Sequence, residues 1–288
     1  LRNSSERVSF FDVFIICRHE SVLRKQTNMK VSVIGCGNLG GAVVKGLVAK
    51  GHEVVACDKD ENALGALPEN DLIEKTKDAS VATRNADVVV LAVKPDIAGA
   101  VLDSFELSDG QVLASFAAAV SLDFLRERTN EDAHVVRVMP NLAGEYNEMA
   151  AAVSPPDEVP ESVRTLLGDL GSFVEIEEEL MDIATAVNGS GPAFVFYVMK
   201  AMKEAGVEGG LDDEAASTLV AQTFRGAAAI VQNDERSLDE LIDAVCSPGG
   251  TTIEGMGVLR EADAGRPFAD AVKAAEERSE EITEELDL

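Results

Sequence analysis

The sequence predicts an α/β protein in two parts, a doubly wound and largely parallel sheet followed by an all-helical half. Short β-branched runs alternate with helical patterns from Met29 onward. A glycine-rich turn joins the first run to the first helix, and beyond about Glu177 the strand pattern gives way to helices rich in Ala and Glu. A length of 288 residues suits two domains.

Residues 1–28 differ from the rest. They hold five bases and three acids, and an apolar stretch, VSFFDVFIIC, that Asp12 interrupts and no small-residue cleavage site follows. They read as an extension ahead of a domain that starts at Met29, a targeting arm being the alternative. Strands are expected at 30–34, 53–57, 88–93, 112–116 and 134–139, with helices at 38–50, 60–67, 96–103 and 121–128 between them. Such continuous β-branched runs signal a sheet covered on both faces. The strand signal ends at Phe173–Ile176. Residues 29–179 thus form a dinucleotide-binding domain and residues 180–288 a helical one, broken at 188–192, 206–211 and 246–250.

Composition narrows the function. Fifty-two acids against 25 bases give a formal charge of −27, a field that repels phosphate backbones and excludes nucleic acid as a main partner. The acids are spread along the chain, a pattern that predicts work at high salt, an ordinary acidic enzyme being the alternative. No apolar run is long enough to span a membrane. Cys17, Cys36, Cys57 and Cys246 form neither a C-x-x-C pair nor a disulfide framework, so a reducing, cytoplasmic setting is expected. His19, His52 and His134 lie in no ligand cluster, and no metal is expected.

The first chemical motif is GCGNLG, comprising Gly35, Cys36, Gly37, Asn38, Leu39 and Gly40, placed between a strand and a helix. That context makes it a pyrophosphate cradle of the Rossmann type rather than an ordinary βα turn. Asp58 stands twenty-three positions after Gly35, where an acid meets the adenosine ribose and favours NAD. Lys59 beside it suits the 2′-phosphate of NADP instead. Ala92, Val93, Lys94 and Pro95 close the strand at 88–93 at the ligand edge of the sheet. Lys94 either faces the cofactor or caps the next helix. In the helical half, NGSGP (188–192) and SPGGTT (247–252) each open a helix with a glycine turn. The Gly249–Gly250 nest with Thr251 and Thr252 suits a carboxylate, a helix merely capped by threonine being the alternative.

From Met29 to about Leu286 the chain resembles pyrroline-5-carboxylate reductase. The resemblance rests on GCGNLG, AVKP, SFAAAV (115–120), VMPN (138–141), GSGPAF (189–194) and SPGGTT in that order. It implies reduction of 1-pyrroline-5-carboxylate to L-proline by NADPH or NADH, and a helical half that interlocks with a second subunit in a homodimer or higher homo-oligomer. It further implies that Gly35 to Leu39 and Ala92 to Pro95 hold the cofactor, with Ala117, Ala118 and Ala119 under the nicotinamide. The family usually has glycine where Ala119 stands, and often asparagine where Ala79 stands. Gly250, Thr251 and Thr252 would bind the substrate, Glu178 would line its pocket, and Thr252 would serve the ring nitrogen in catalysis.

The inventory agrees with that chemistry. A cyclic imine is easily protonated and already electrophilic, so its reduction needs orientation and a donor at nitrogen rather than a histidine or a metal. A 3-hydroxyacid dehydrogenase would need a lysine where Val195 stands. A deazaflavin-linked NADP reductase has no use for SPGGTT, and a non-catalytic nucleotide sensor none for Thr251 and Thr252.

Overall fold

The computed structural model describes residues 28–286. Its sheet has eight strands in the order β3-β2-β1-β4-β5-β6-β7-β8. They are β1 (Lys30–Ile34), β2 (Glu53–Cys57), β3 (Ile73–Thr76), β4 (Val88–Leu91), β5 (Val112–Ser115), β6 (His134–Pro140), β7 (Met149–Ser154) and β8 (Gly171–Glu175). Strands β1 to β6 run parallel, β7 is antiparallel to β6, and β8 is parallel to β7. The helices α1 (Asn38–Ala49), α2 (Glu61–Gly65), α3 (Ala79–Ala82), α4 (Pro95–Leu102), α5 (Leu122–Glu127) and α6 (Glu161–Leu170) connect them.

Alternation along the strands builds two cores. Val88 and Val90 join Leu47 of α1 and Leu166 of α6 on one face, while Val89 and Leu91 join Leu102 of α4 and Leu125 of α5 on the other. All eight of these side chains are buried, and truncating any one of the leucines to alanine is worth about 2–5 kcal/mol. The start of β1 is pinned by a buried histidine. The Met29 N–H donates to His52 Nδ1 over 3.2 Å, and His52 Nε2 lies 2.9 Å from the Asp169 carboxylate at the end of α6.

Several elements differ from the sequence expectation. The strands at 88–93 and 112–116 end at Leu91 and Ser115, because the chain turns there into the loops that edge the sheet. Strands β3 and β7 were not expected: β3 is an edge strand of mixed polarity, and β7, MAAAVS, is dominated by alanine. The expected extension, residues 1–28, falls almost wholly outside the described residues.

After β8 come a 3-10 turn, Glu178–Leu180, then α7 (Met181–Ala184) and a π-helical turn, Thr185–Gly189. The helical stretch that follows contains α8 (Gly191–Glu208), α9 (Asp213–Asn233), α10 (Leu238–Val245), α11 (Thr251–Glu261) and α12 (Gly265–Leu286). An unexpected break at 234–237 separates α9 from α10, where Ser237 and Glu240 form a reciprocal capping box. Two compact units emerge: residues up to Gly189 together with those from Glu277 onward, and Ser190–Glu276. In the first, Ser279 of α12 donates to Asp182 Oδ1 over 2.6 Å, so the last helix returns to the unit the chain began with.

Charge makes a testable demand on this fold. With −27 formal charges, self-repulsion is screened over ~10 Å in 0.1 M salt and over ~3 Å in 1 M. The unfolding midpoint is expected to rise steadily from dilute buffer to molar KCl. A midpoint that stays flat across that range refutes adaptation to high salt.

Candidate active site

The glycine turn has the geometry of a dinucleotide cradle. Gly35 adopts φ +93°, and a Cβ there would lie 2.4 Å from the Ala92 carbonyl oxygen, so AVKP and GCGNLG press directly on each other. A Cβ on Gly40 would lie 1.8 Å from the Gly35 carbonyl oxygen, which permits the close approach of helix to turn. Beside Gly37, by contrast, the space is open. Gly37 is the N-cap of α1, and no side chain caps that helix, so the backbone N–H groups of its first turn, at Asn38 and Leu39, are left without a side-chain cap. These residues fit a pyrophosphate.

Asp58 lies beside this cradle and partly holds it. Its Oδ2 accepts from the Cys36 N–H over 2.7 Å and its Oδ1 from the Asp60 N–H over 2.9 Å. Lys59 is exposed next to it. Burial, aided by the Asp58 charge, pushes the Cys36 thiol up to about 12 and the Cys57 thiol up to about 11, so both stay protonated and inert at neutral pH. On the neighbouring strand end, Ala92 and Val93 are half-buried. Lys94 is the N-cap of α4 through its extended backbone, its side chain makes no capping bond, and Pro95 fills the first turn. Of the two expectations for Lys94, the structure shows the helix cap, made by its backbone, and leaves the exposed side chain out of that cap. Ala79 begins α3, whose cap is Asp78.

The loop after β5 carries Ala117, Ala118 and Ala119. Ala117 and Ala119 are buried and Ala118 is half-buried. Ala119 has φ +57°, a left-handed conformation that costs an alanine about 1–2 kcal/mol and a glycine almost nothing. Backbone conformation thus explains what a glycine would contribute at this position. The loop ends at Ser121, the N-cap of α5, whose side chain accepts from the Phe124 N–H. Glu178 reaches the same corner: its Oε1 accepts from the Leu122 N–H over 2.7 Å and from Arg137 of β6 over 3.3 Å.

Gly250, Thr251 and Thr252 lie in the second unit. Gly249 has φ +71°, Gly250 is the N-cap of α11, and Thr251 and Thr252 are its first two residues, both exposed. No side chain caps this helix. The alternative of a threonine cap is overturned, because the N-cap position belongs to glycine and both hydroxyls stand free of that task.

Comparison with known proteins decides the family. A family model described as pyrroline-5-carboxylate reductase dimerisation matches residues 178–282, and one described as NADP oxidoreductase, coenzyme F420-dependent, matches residues 30–119. The pyrroline-5-carboxylate reductase of Methanosarcina acetivorans is 37% identical over 265 residues, covering 88% of this chain and 98% of its own. That of Escherichia coli is 33% identical over 264 residues with the same coverage. The chain belongs to the pyrroline-5-carboxylate reductase family. The crystal structure of the Plasmodium falciparum pyrroline carboxylate reductase with NADP bound matches at a TM-score of 0.77 and 29% identity, covering 89% of this chain and 98% of that one. The F420-dependent model spans only the nucleotide-binding part of the reductase, whereas the curated relatives span both parts.

Two residues of the reductase's first unit were missed from sequence. Arg137 is buried in β6, and its place between Val136 and Val138 in an apolar run was the signal. Asn188, in the π-helical turn, donates through Nδ2 to the Met139 carbonyl over 2.8 Å and to the Ala150 carbonyl over 3.0 Å, while its Oδ1 is buried without a partner. Asn188 thereby ties the start of NGSGP to VMPN, two motifs 49 positions apart in the chain.

Proposed function

We propose that this reductase converts 1-pyrroline-5-carboxylate to L-proline, with the cofactor on Gly35 to Leu39, Ala92 to Pro95 and Ala117 to Ala119. Bound NADPH or NADH supplies the hydride. The observation that carries the site assignment is the start of α11, where two uncapped hydroxyls follow a glycine nest. The Gly250 N–H is held by the Ser247 carbonyl over 2.9 Å, so the turn at Gly250 presents the backbone N–H groups of Thr251 and Thr252 to the substrate carboxylate, and the Thr252 hydroxyl follows the ring nitrogen from imine to amine. Glu178, first expected to line the substrate pocket, enters through the loop it holds.

The helical unit supports a homodimer. Among its described residues Phe196, Tyr197, Leu238, Val245 and Val258 are 63% or more exposed, and Ala216 is the single buried hydrophobic. Apolar helices without a core of their own call for a second copy. No helix among the described residues is long and apolar enough to cross a membrane. We place the enzyme in the cytoplasm at high salt.

The test is the initial rate with 1-pyrroline-5-carboxylate, comparing NADH and NADPH at low and molar salt; absence of reduction with either sinks the reading. Asp58 at the ribose should let NADH serve well, and Asp58→Ser should raise the KM for NADH relative to that for NADPH. A wild type that strongly prefers NADPH shows instead that Lys59 dominates.

A further inference from the structure

The contacts of Glu178 have a use that substrate lining leaves unexplained. Its Oε1 binds the first N–H of α5 at Leu122 and a guanidinium nitrogen of Arg137. Arg137 is 5% exposed and sits in register between Ser115 of β5 and Ser154 of β7. Both serine hydroxyls are buried without a hydrogen-bond partner, so the row across the sheet is polar at its own expense, with Glu178 as its carboxylate. Ser115 leads directly into the loop that carries Ala117 to Ala119, and Leu122 leads directly out of it. Glu178 therefore reaches both ends of the loop: it bonds Leu122 itself at one end, and at the other it pairs with the arginine that stands opposite Ser115 in the sheet.

Between these ends stands Ala119 in its left-handed conformation. A residue in an unfavourable backbone region persists only where its surroundings over-determine it. We infer that Glu178, acting with Arg137, is a positioning residue that holds the 116–120 loop in the shape needed under the nicotinamide. The inference rests on the reading of this chain as a pyrroline-5-carboxylate reductase with that loop at the nicotinamide. It has a specific corollary: Glu178 matters because position 119 is alanine. Glycine at 119 would adopt the same φ without help, so the two positions are energetically coupled.

The test is a cycle of four enzymes, the wild type, Glu178→Gln, Ala119→Gly and the double variant. Each is assayed for kcat and for the KM of cofactor and substrate, and the fluorescence of bound NADH or NADPH is recorded. Glutamine keeps an acceptor for Leu122 and loses the charge facing Arg137. The expected result is that Glu178→Gln lowers kcat about ten-fold or more and changes the bound-nicotinamide fluorescence, with substrate KM moving less than about three-fold. In the double variant, glycine at 119 should recover most of that loss. A merely structural glutamate would lower the melting point and leave kcat per folded enzyme and the fluorescence alone. A substrate-lining glutamate would raise substrate KM chiefly, and glycine at 119 would not rescue it. Either outcome overturns the inference, as does equal loss in the single and double variants. If glutamine at 178 prevents folding, Glu178→Asp, which shortens the reach to Leu122 and keeps the charge, is run through the same cycle with the same criteria. A wild type that reduces no 1-pyrroline-5-carboxylate overturns the functional reading itself, which the variants leave untouched.

Discussion

Thr252→Ala is expected to lower turnover by about ten- to a thousand-fold while leaving cofactor affinity and the melting temperature almost unchanged. Gly250, not a threonine, occupies the N-cap of α11, and no side chain caps the helix. Deleting the Thr252 hydroxyl therefore removes no capping bond, and the usual loss of about 1 kcal/mol for a lost cap should be absent. The backbone N–H groups proposed to grip the carboxylate stay in place, so substrate KM should move far less than kcat. What disappears is the hydroxyl proposed to follow the ring nitrogen as it turns from a planar imine into a basic amine. Kinetics and melting on one purified variant separate the possibilities. Normal turnover with a lower melting point would remove Thr252 from the chemistry.

The glycine turn predicts a contrast between two alanine substitutions of the same size. At Gly40 the new Cβ falls 1.8 Å from the Gly35 carbonyl oxygen, a backbone atom that cannot swing aside. Helix and turn must then separate, so Gly40→Ala should cost about 1–3 kcal/mol of stability or more and weaken cofactor binding about a hundred-fold. At Gly37 nothing lies within contact distance of the new Cβ, and φ of −64° is open to alanine. Gly37→Ala should keep the wild-type melting point and still lose cofactor affinity, because the methyl occupies the space a pyrophosphate needs. Thermal melting and fluorescence titration with NADPH and NADH read both effects. Equal melting points for the two variants would mean that Gly40 is not packed as described.

How much of this was legible in the sequence depends on whether one residue carries the signal or two must meet. The strands β1, β2, β4, β5 and β6 were legible because burial on both faces demands unbroken β-branched runs. Strand β7 was not, since Ala150, Ala151 and Ala152 have little strand preference of their own and take their conformation from β6 and β8 beside them. Gly35, Gly37 and Gly40 were legible because a glycine at fixed spacing reports the backbone directly. Thr251 and Thr252 were visible, but their freedom from capping required the backbone of Gly250. The pairing of Glu178 with Leu122 and Arg137 joins residues 56 and 41 positions apart, and no local pattern announces a contact at that range.

The return of α12 to the first unit has a consequence for how the protein is made. Asp182 leaves the ribosome before Ser279, its partner, which follows 97 positions later in the chain. The whole of Ser190–Glu276 lies between them. At about 5–20 residues per second, roughly ten seconds pass between the two. For that interval the nucleotide-binding unit has its sheet but lacks its closing strap, so it matures only after the helical unit inserted into it has been produced. A translation stall within 190–276 would leave a nascent chain whose first domain is assembled in outline and unfastened.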